Sequence, residues 1–127
     1  MYSGSTIVYE NGDIETTQGD SFPLLVEGLY SDKNYELYYS IYDSKGRIKG
    51  DEVHISTGGA SSVVLEIPSN LTDLLTVKGG IDSTEDYYQG LKICDPETGY
   101  EETLRINGKA LGELSVITVH PKKTEGI

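Results

Sequence analysis

Catalysis in a small domain rests on a few residue types, and this chain carries them sparsely. Its 127 residues include two histidines, His54 and His120, and one cysteine, Cys94, against 21 Asp and Glu. A nucleophilic hydrolase needs a base beside its nucleophile, yet His54 lies in a strand-like stretch, His120 precedes Pro121 near the C-terminus, and no Gly-x-Ser-x-Gly elbow occurs. The sequence predicts no catalytic triad. Cys94 falls inside an expected strand, where a lone buried thiol acts as a small hydrophobe, and nothing adjacent would lower its pKa. Paired carboxylates stand at Asp51-Glu52, Glu85-Asp86 and Glu101-Glu102. Glycosidase chemistry needs two carboxyls converging on one cleft, whereas neighbours on a strand point to opposite faces, so these pairs are read as surface solvation.

Cofactor and metal chemistry fare no better. A helix-loop-helix calcium loop needs spaced Asp or Asn ligands, a central Gly and a final Glu, and no stretch supplies that set. Zinc would need clustered Cys or His. Calcium held by scattered acids is a minor alternative. Gly58-Gly59 and Gly79-Gly80 lack the Lys-Ser/Thr pair and strand-to-helix setting of phosphate loops, so they are read as turn glycines. Asn70-Leu71-Thr72 matches the glycosylation sequon, but a helix-capping role for Ser69 or Asn70 is the preferred reading. No catalytic, cofactor-binding or metal residue is assigned, and the chain is expected to bind rather than to catalyse.

The unusual feature is aromatic: ten tyrosines accompany one phenylalanine and no tryptophan. A tyrosine offers rigid apolar area with a polar handle at low entropic cost, which suits binding surfaces. Tyr38, Tyr42 and Tyr88 are the expected interaction residues, because their strand neighbours form the apolar core set. The plainer reading is that they brace cross-strand pairs.

The elements that would position these residues are short strands. Fifteen glycines and frequent Val, Ile and Thr mark strands broken by turns, with little helical periodicity. Residues 6–9 and 14–17 flank Asn11-Gly12 as a small hairpin or bent leading strand. Residues 22–30 read as one strand with Phe22, Leu24, Val26 and Tyr30 on one face and Leu25 and Leu29 on the other; Pro23, lacking an N–H, pushes its start toward a sheet edge. The clearest alternation sets Tyr35, Leu37, Tyr39 and Ile41 inward and Glu36, Tyr38, Ser40 and Tyr42 outward. Residues 47–56 alternate around Ile48, Val53 and Ile55, and Val63, Leu65 and Ile67 continue until Pro68. Residues 69–75 suit one or two helical turns crossing between sheets. Residues 87–95 and 100–106 flank Pro96-Glu97-Thr98-Gly99, the strongest hairpin, and residues 111–119 form the last strand.

Seven or eight strands at roughly ten-residue spacing with one crossover predict an all-β, immunoglobulin-like two-sheet sandwich. The antibody hallmarks, a tryptophan and two cysteines, are absent. One domain is expected over 1–119, followed by a mobile tail over 120–127, without internal repeats. A formal net charge of -11 disfavours nucleic acid. No stretch approaches the roughly 20 apolar residues of a membrane span, and no secretory signal follows Met1, so a reducing cytoplasm is the expected place of synthesis.

The order of segments resembles the small immunoglobulin-like domains of phage and prophage tail, baseplate and neck proteins, including the N-terminal domain of baseplate upper proteins. The likeness is carried by Gly19-Asp20-Ser21-Phe22, Val64-Leu65-Glu66-Ile67-Pro68 and the turn from Leu71 to Leu75. It continues through Asp86-Tyr87-Tyr88-Gln89-Gly90-Leu91-Lys92-Ile93, Asp95-Pro96-Glu97-Thr98-Gly99, Glu102-Thr103-Leu104 and Leu114-Ser115-Val116. Two segments depart from the family pattern: Ser31-Asp32-Lys33-Asn34-Tyr35 replaces an Asp-Gly turn and the segment after it, and Glu85-Asp86-Tyr87 replaces a Gly-x-Tyr start to the hairpin. The resemblance implies a non-enzymatic virion part docking on other tail proteins through sheet edges or loops, with repeated copies, a homo-oligomer among them, imposed by particle symmetry. It transfers no functional residues. The competing expectation is a carbohydrate-binding or adhesin-like sandwich using Tyr38, Tyr42 and Tyr88 against a glycan.

Overall fold

The computed structural model describes residues 4–104 and 116–123. Among them the chain forms β1 Ile7–Val8, β2 Ile14–Thr17, β3 Phe22–Glu27, β4 Glu36–Tyr42, β5 Val53–Ser56, β6 Ser62–Ile67, the helical turn α1 Ser69–Thr72, β7 Glu85–Cys94, β8 Glu101–Leu104 and β9 Val116–His120. The large sheet runs β1-β2-β9-β7-β4-β5, with β8 also on β7, and the small sheet is the antiparallel pair β3-β6. This is the expected all-β sandwich. The central β9-β7-β4 trio and the facing β3-β6 pair follow the immunoglobulin-like strand order, and α1 makes the crossover between sheets.

Nine strands stand among the described residues where seven or eight were expected, and one edge of β7 is bordered by two short ones. β4 lines the other edge of β7 from Tyr88 to Cys94, while β9 pairs Glu85 to Tyr88 and β8 pairs Leu91 to Cys94. β2 runs parallel to β9, so the two terminal parts of the chain lie side by side. The expected last strand begins at Val116 here; its residues 111–115 lie outside the described residues. The domain also extends past 119: His120 belongs to β9 opposite Thr17, and the Lys122 ammonium sits 2.6 Å from Asp73 Oδ1. Residues 124–127 of the expected tail lie outside the described residues.

The core follows the period-two reading of β4. Leu37, Tyr39 and Ile41 are essentially fully buried against Leu65 and Ile67 of β6, Ile93 of β7 and Ile117 and Val119 of β9. Each such aliphatic side chain contributes about 1.5–3 kcal/mol by leaving water. One polar chain threads this core: the buried Tyr39 hydroxyl donates to Gln89 Oε1, and Gln89 Nε2 donates to the Gly12 carbonyl at 2.8 Å. Burial pushes the Tyr39 phenol far above its ordinary pKa, so it stays a neutral donor.

Three local expectations are corrected. Residues 22–30 are not one strand: Gly28 adopts φ +76, open to glycine at little cost, and shifts the phase of alternation. Leu29 is therefore the buried residue and Tyr30 the exposed one, the reverse of the expected faces. Residues 47–56 give only the strand Val53–Ser56; Ile48 makes a lone bridge to Tyr42. Neither Ser69 nor Asn70 caps α1, whose N-cap is Pro68 with no side-chain capping bond. Pro23 sits on β3, which has a single strand neighbour among the described residues, as an edge proline should.

Candidate functional site

Tyr38, Tyr42 and Tyr88 all stand on the outward face of the large sheet, half-buried, as the alternation requires. Register brings two of them together: Tyr42 lies directly opposite Tyr88, whereas Tyr38 lies opposite Lys92 of β7 and His54 of β5. The Tyr38 ring stacks on the His54 imidazole, with centroids 4.4 Å apart and planes 9° from parallel. One face of Tyr38 is thus already covered. Between the aromatic positions Ser40 faces Gly90, and the Ser40 hydroxyl donates to Glu52 Oε2 at 2.9 Å. Ser40 keeps only 4% exposure although its face is outward.

Polar groups continue this face beyond Tyr38. His54 Nε2 lies 3.4 Å from Glu36 Oε1. The Glu36 carboxyl is held below its usual range chiefly by the Ser56 side chain, then by His54. Lys92 Nζ sits 3.6 Å from Glu101 Oε2, and the Cys94 thiol points at Glu101 Oε1 from 3.5 Å. Cys94 is on its strand as expected but not in the core, because Ile93 takes the inward position and turns Cys94 outward. Burial, followed by the Glu101 carboxylate, raises the Cys94 pKa, so the thiol is a poor nucleophile. Glu36, Tyr38, Glu52, Lys92 and Glu101 line a shallow depression of about 380 Å³.

A second group of tyrosines, which the sequence reading missed, lies at one end of the sandwich. There the β3–β4, β5–β6 and β7–β8 connections converge, tied by Leu29 N–H to the Ser61 carbonyl, Thr57 N–H to the Tyr35 carbonyl, and Gly58 N–H to Asn34 Oδ1. The turn after β7 closes with Gly99 at φ +78, the Asp95 N–H donating to the Tyr100 carbonyl and the Gly99 N–H to the Asp95 carbonyl. Tyr30 and Tyr100, from two different loops, both donate to one carboxylate, at 2.8 Å to Glu102 Oε1 and 2.5 Å to Oε2. Tyr35 stands beside Tyr30 with centroids 5.6 Å apart and planes tilted by 53°, and its hydroxyl donates to Asp32 Oδ1. Lys33 Nζ bonds Asp95 Oδ2 at 2.5 Å while lying 5.9 Å from the Tyr35 ring centre.

The electrostatics of this end are set by those bonds. Lys33, then the Thr98 hydroxyl and the Glu97 N–H, hold the Asp95 carboxyl at a pKa of about 2 against the opposing effect of burial. Tyr100 and Tyr30 lower Glu102, and the carboxylate raises both phenols in return. The adjacent pair Glu101-Glu102 does split to opposite faces, as strand geometry demands. Glu102, however, is engaged by tyrosines rather than left to water. The sequence signal for this group was Gly28 before two bulky residues, with Tyr100 placed just after a hairpin turn.

Among the described residues both histidines lie against carboxylates. His54 lies on β5 with Glu36 and Tyr38, while His120 Nε2 sits 2.6 Å from Glu15 Oε1 on β2. Among the described residues no group of three or more His, Cys, Asp or Glu side chains converges as a metal site would, and no helix is long and apolar enough to cross a membrane. A scan against protein-family models finds no match to this chain, and a search of the curated proteins finds no relative.

Proposed function

We propose that this chain is a non-enzymatic interaction module of a phage or prophage virion, in its tail, baseplate or neck, made in the host cytoplasm and binding other virion proteins through loops or sheet edges. The observation that carries the binding reading is the loop end, where three connections on a two-sheet frame present the Tyr30 and Tyr100 rings at 45% and 51% exposure. Loops on a rigid scaffold are where binding surfaces concentrate, and tyrosine supplies contact area at low entropic cost. Edges give a second means of attachment: β5 has only β4 beside it, and β3 and β6 only each other, among the described residues. The virion setting is supported by the segment order from Gly19 to Val116 described above.

The test is mass spectrometry of phage particles purified after prophage induction in the source strain. Recovery of peptides such as residues 100–105 in constant ratio to tail proteins is the expected result; well-formed particles without this chain would remove the virion assignment.

The outward face supports one other reading, a glycan-binding or adhesin-like sandwich, because Tyr42 and Tyr88 stand in register across β4 and β7, half-buried on that face. Glycan-array binding that is lost in Tyr42→Ala and Tyr88→Ala would favour it over protein docking.

A further inference from the structure

The loop end carries more aromatic surface and more negative charge than its own structure uses. Tyr30, Lys33, Tyr35, Asp95, Thr98 and Tyr100 line a depression of about 530 Å³. Among the described residues this end gathers four carboxylates: Asp95 and Glu97 flank the Lys33 ammonium, while Asp32 and Glu102 accept from tyrosine hydroxyls. The hydroxyls of Tyr30 and Tyr100 are engaged by Glu102 and that of the buried Tyr35 by Asp32, so the rings are fixed in orientation. What a ligand meets is their faces and edges. A cation already uses this environment, since Lys33 bridges Asp95 and Glu97 while standing over Tyr35. The Glu97 side chain, 3.7 Å from Lys33, is mostly exposed and retains open lone pairs for a second cation.

We propose that this depression is a docking pocket for an arginine side chain presented by a protein partner. A guanidinium is planar and stacks on aromatic faces, and its fork of N–H donors matches the carboxylates on the rim. It is also more weakly hydrated than an ammonium, so it loses less on entering a half-buried site. A neutral sugar would gain the stacking but nothing from the excess negative charge. Electrostatic steering favours the same partner, because the whole chain carries a net charge of -11. The inference rests on the interaction-module reading and names the chemistry of its partner.

The experiment is an NMR titration of the full chain with a six-residue peptide carrying two arginines, beside its lysine and citrulline versions and a neutral chitin trisaccharide. The arginine peptide is expected to shift amides of residues 29–35 and 95–102 and to leave those of Tyr42 and Tyr88 still. The citrulline peptide should bind about tenfold more weakly, and Tyr100→Leu or Glu97→Gln should each weaken the arginine peptide by about fivefold, the scale of one exposed cation–π contact or charge pair. Core amide shifts report that each variant is folded; Glu97→Gln, at an exposed position, keeps the test decisive if Tyr100→Leu is not. Equal binding of arginine and citrulline peptides, shifts spread evenly over the acidic surface, binding of the trisaccharide alone, or no saturable shift at all would each overturn the proposal. Particle mass spectrometry is independent of this result, so a virion protein without arginine binding and an arginine binder absent from particles are told apart.

Discussion

Tyr42 and Tyr88 are neighbours because two strands hold them in register, whereas Tyr30 and Tyr100 are neighbours because two loops converge on one carboxylate. On the outward face the side chains serve the sheet: they stand across from one another along β4 and β7, and Tyr38 spends a ring face on His54. At the loop end Tyr30 and Tyr100 spend their hydroxyls on Glu102 and leave ring surface uncovered, while the Tyr35 ring beside Tyr30 is buried. The same residue type therefore braces a sheet in one place and furnishes a surface in the other. What separates the two is which part of the phenol is already engaged.

Both groups depend on β7, which carries Tyr88 and leads directly into the Asp95 turn. Removing the polar chain that fixes this strand to the N-terminal hairpin should disturb both groups most severely. Gln89→Leu leaves the buried Tyr39 hydroxyl and the Gly12 carbonyl without their partner. Unsatisfied buried groups cost about 1–3 kcal/mol each, so a loss of about 2–4 kcal/mol is expected in urea unfolding, and both tyrosine groups should lose order together. A variant as stable as the parent would show that the two groups do not share one frame.

Replacing Lys33 should act on the loop end alone. Lys33→Met leaves Asp95, at 5% exposure, with the Thr98 hydroxyl and the Glu97 N–H but no counter-charge. Asp95 is depressed in the folded parent, so the stability it contributes is complete above the unfolded carboxyl value of about 4 and is lost as pH falls through about 2. The variant should therefore be less stable at neutral pH, and the gap to the parent should close over that window. Thermal melts at several pH values measure this, and a gap that persists unchanged to pH 2 would assign the loss to packing rather than to the ion pair.

The two regions also differ in how far the sequence revealed them. The outward face was readable because Tyr35, Leu37, Tyr39 and Ile41 alternate without interruption with the residues between them; period two alone assigns both faces of β4. The hairpin after β7 was readable because Pro96 and Gly99 are turn residues at fixed offsets. The loop end was not readable, since Tyr30, Tyr35 and Tyr100 are brought together by three separate connections and no local pattern encodes their meeting. A single glycine also misled the alternation: φ +76 at Gly28 exchanged the roles of Leu29 and Tyr30. Cys94 was assigned to the right strand and the wrong side, because an apolar residue type says less about facing than the phase set by Ile93.

Smaller effects sharpen the distinction between bracing and furnishing. A double-mutant cycle of Tyr42→Ala and Tyr88→Ala should give a coupling of about 0.2–1 kcal/mol in favour of folding, the range for facing cross-strand pairs. Additivity within error would mean that the outward tyrosines do not brace the sheet, and would free that face for a ligand.

The smallest expected effect is a titration shift, and it addresses the hydroxyl commitment that the comparison rests on. Tyr100 lowers the Glu102 pKa most and Tyr30 next, both by donating to the ionised carboxylate. Removing a donor withdraws stabilisation from the charged form, so Tyr100→Phe should raise the Glu102 pKa, Tyr30→Phe should raise it less, and the double variant should bring it close to an ordinary glutamate. Phenylalanine preserves the rings, so arginine-peptide binding should survive in all three. Carboxyl carbon NMR of Glu102 across the acid range reads the shift directly. An unmoved Glu102 in Tyr100→Phe would mean that this phenol does not hold the carboxylate, and the fixed ring orientation at the loop end would lose its cause.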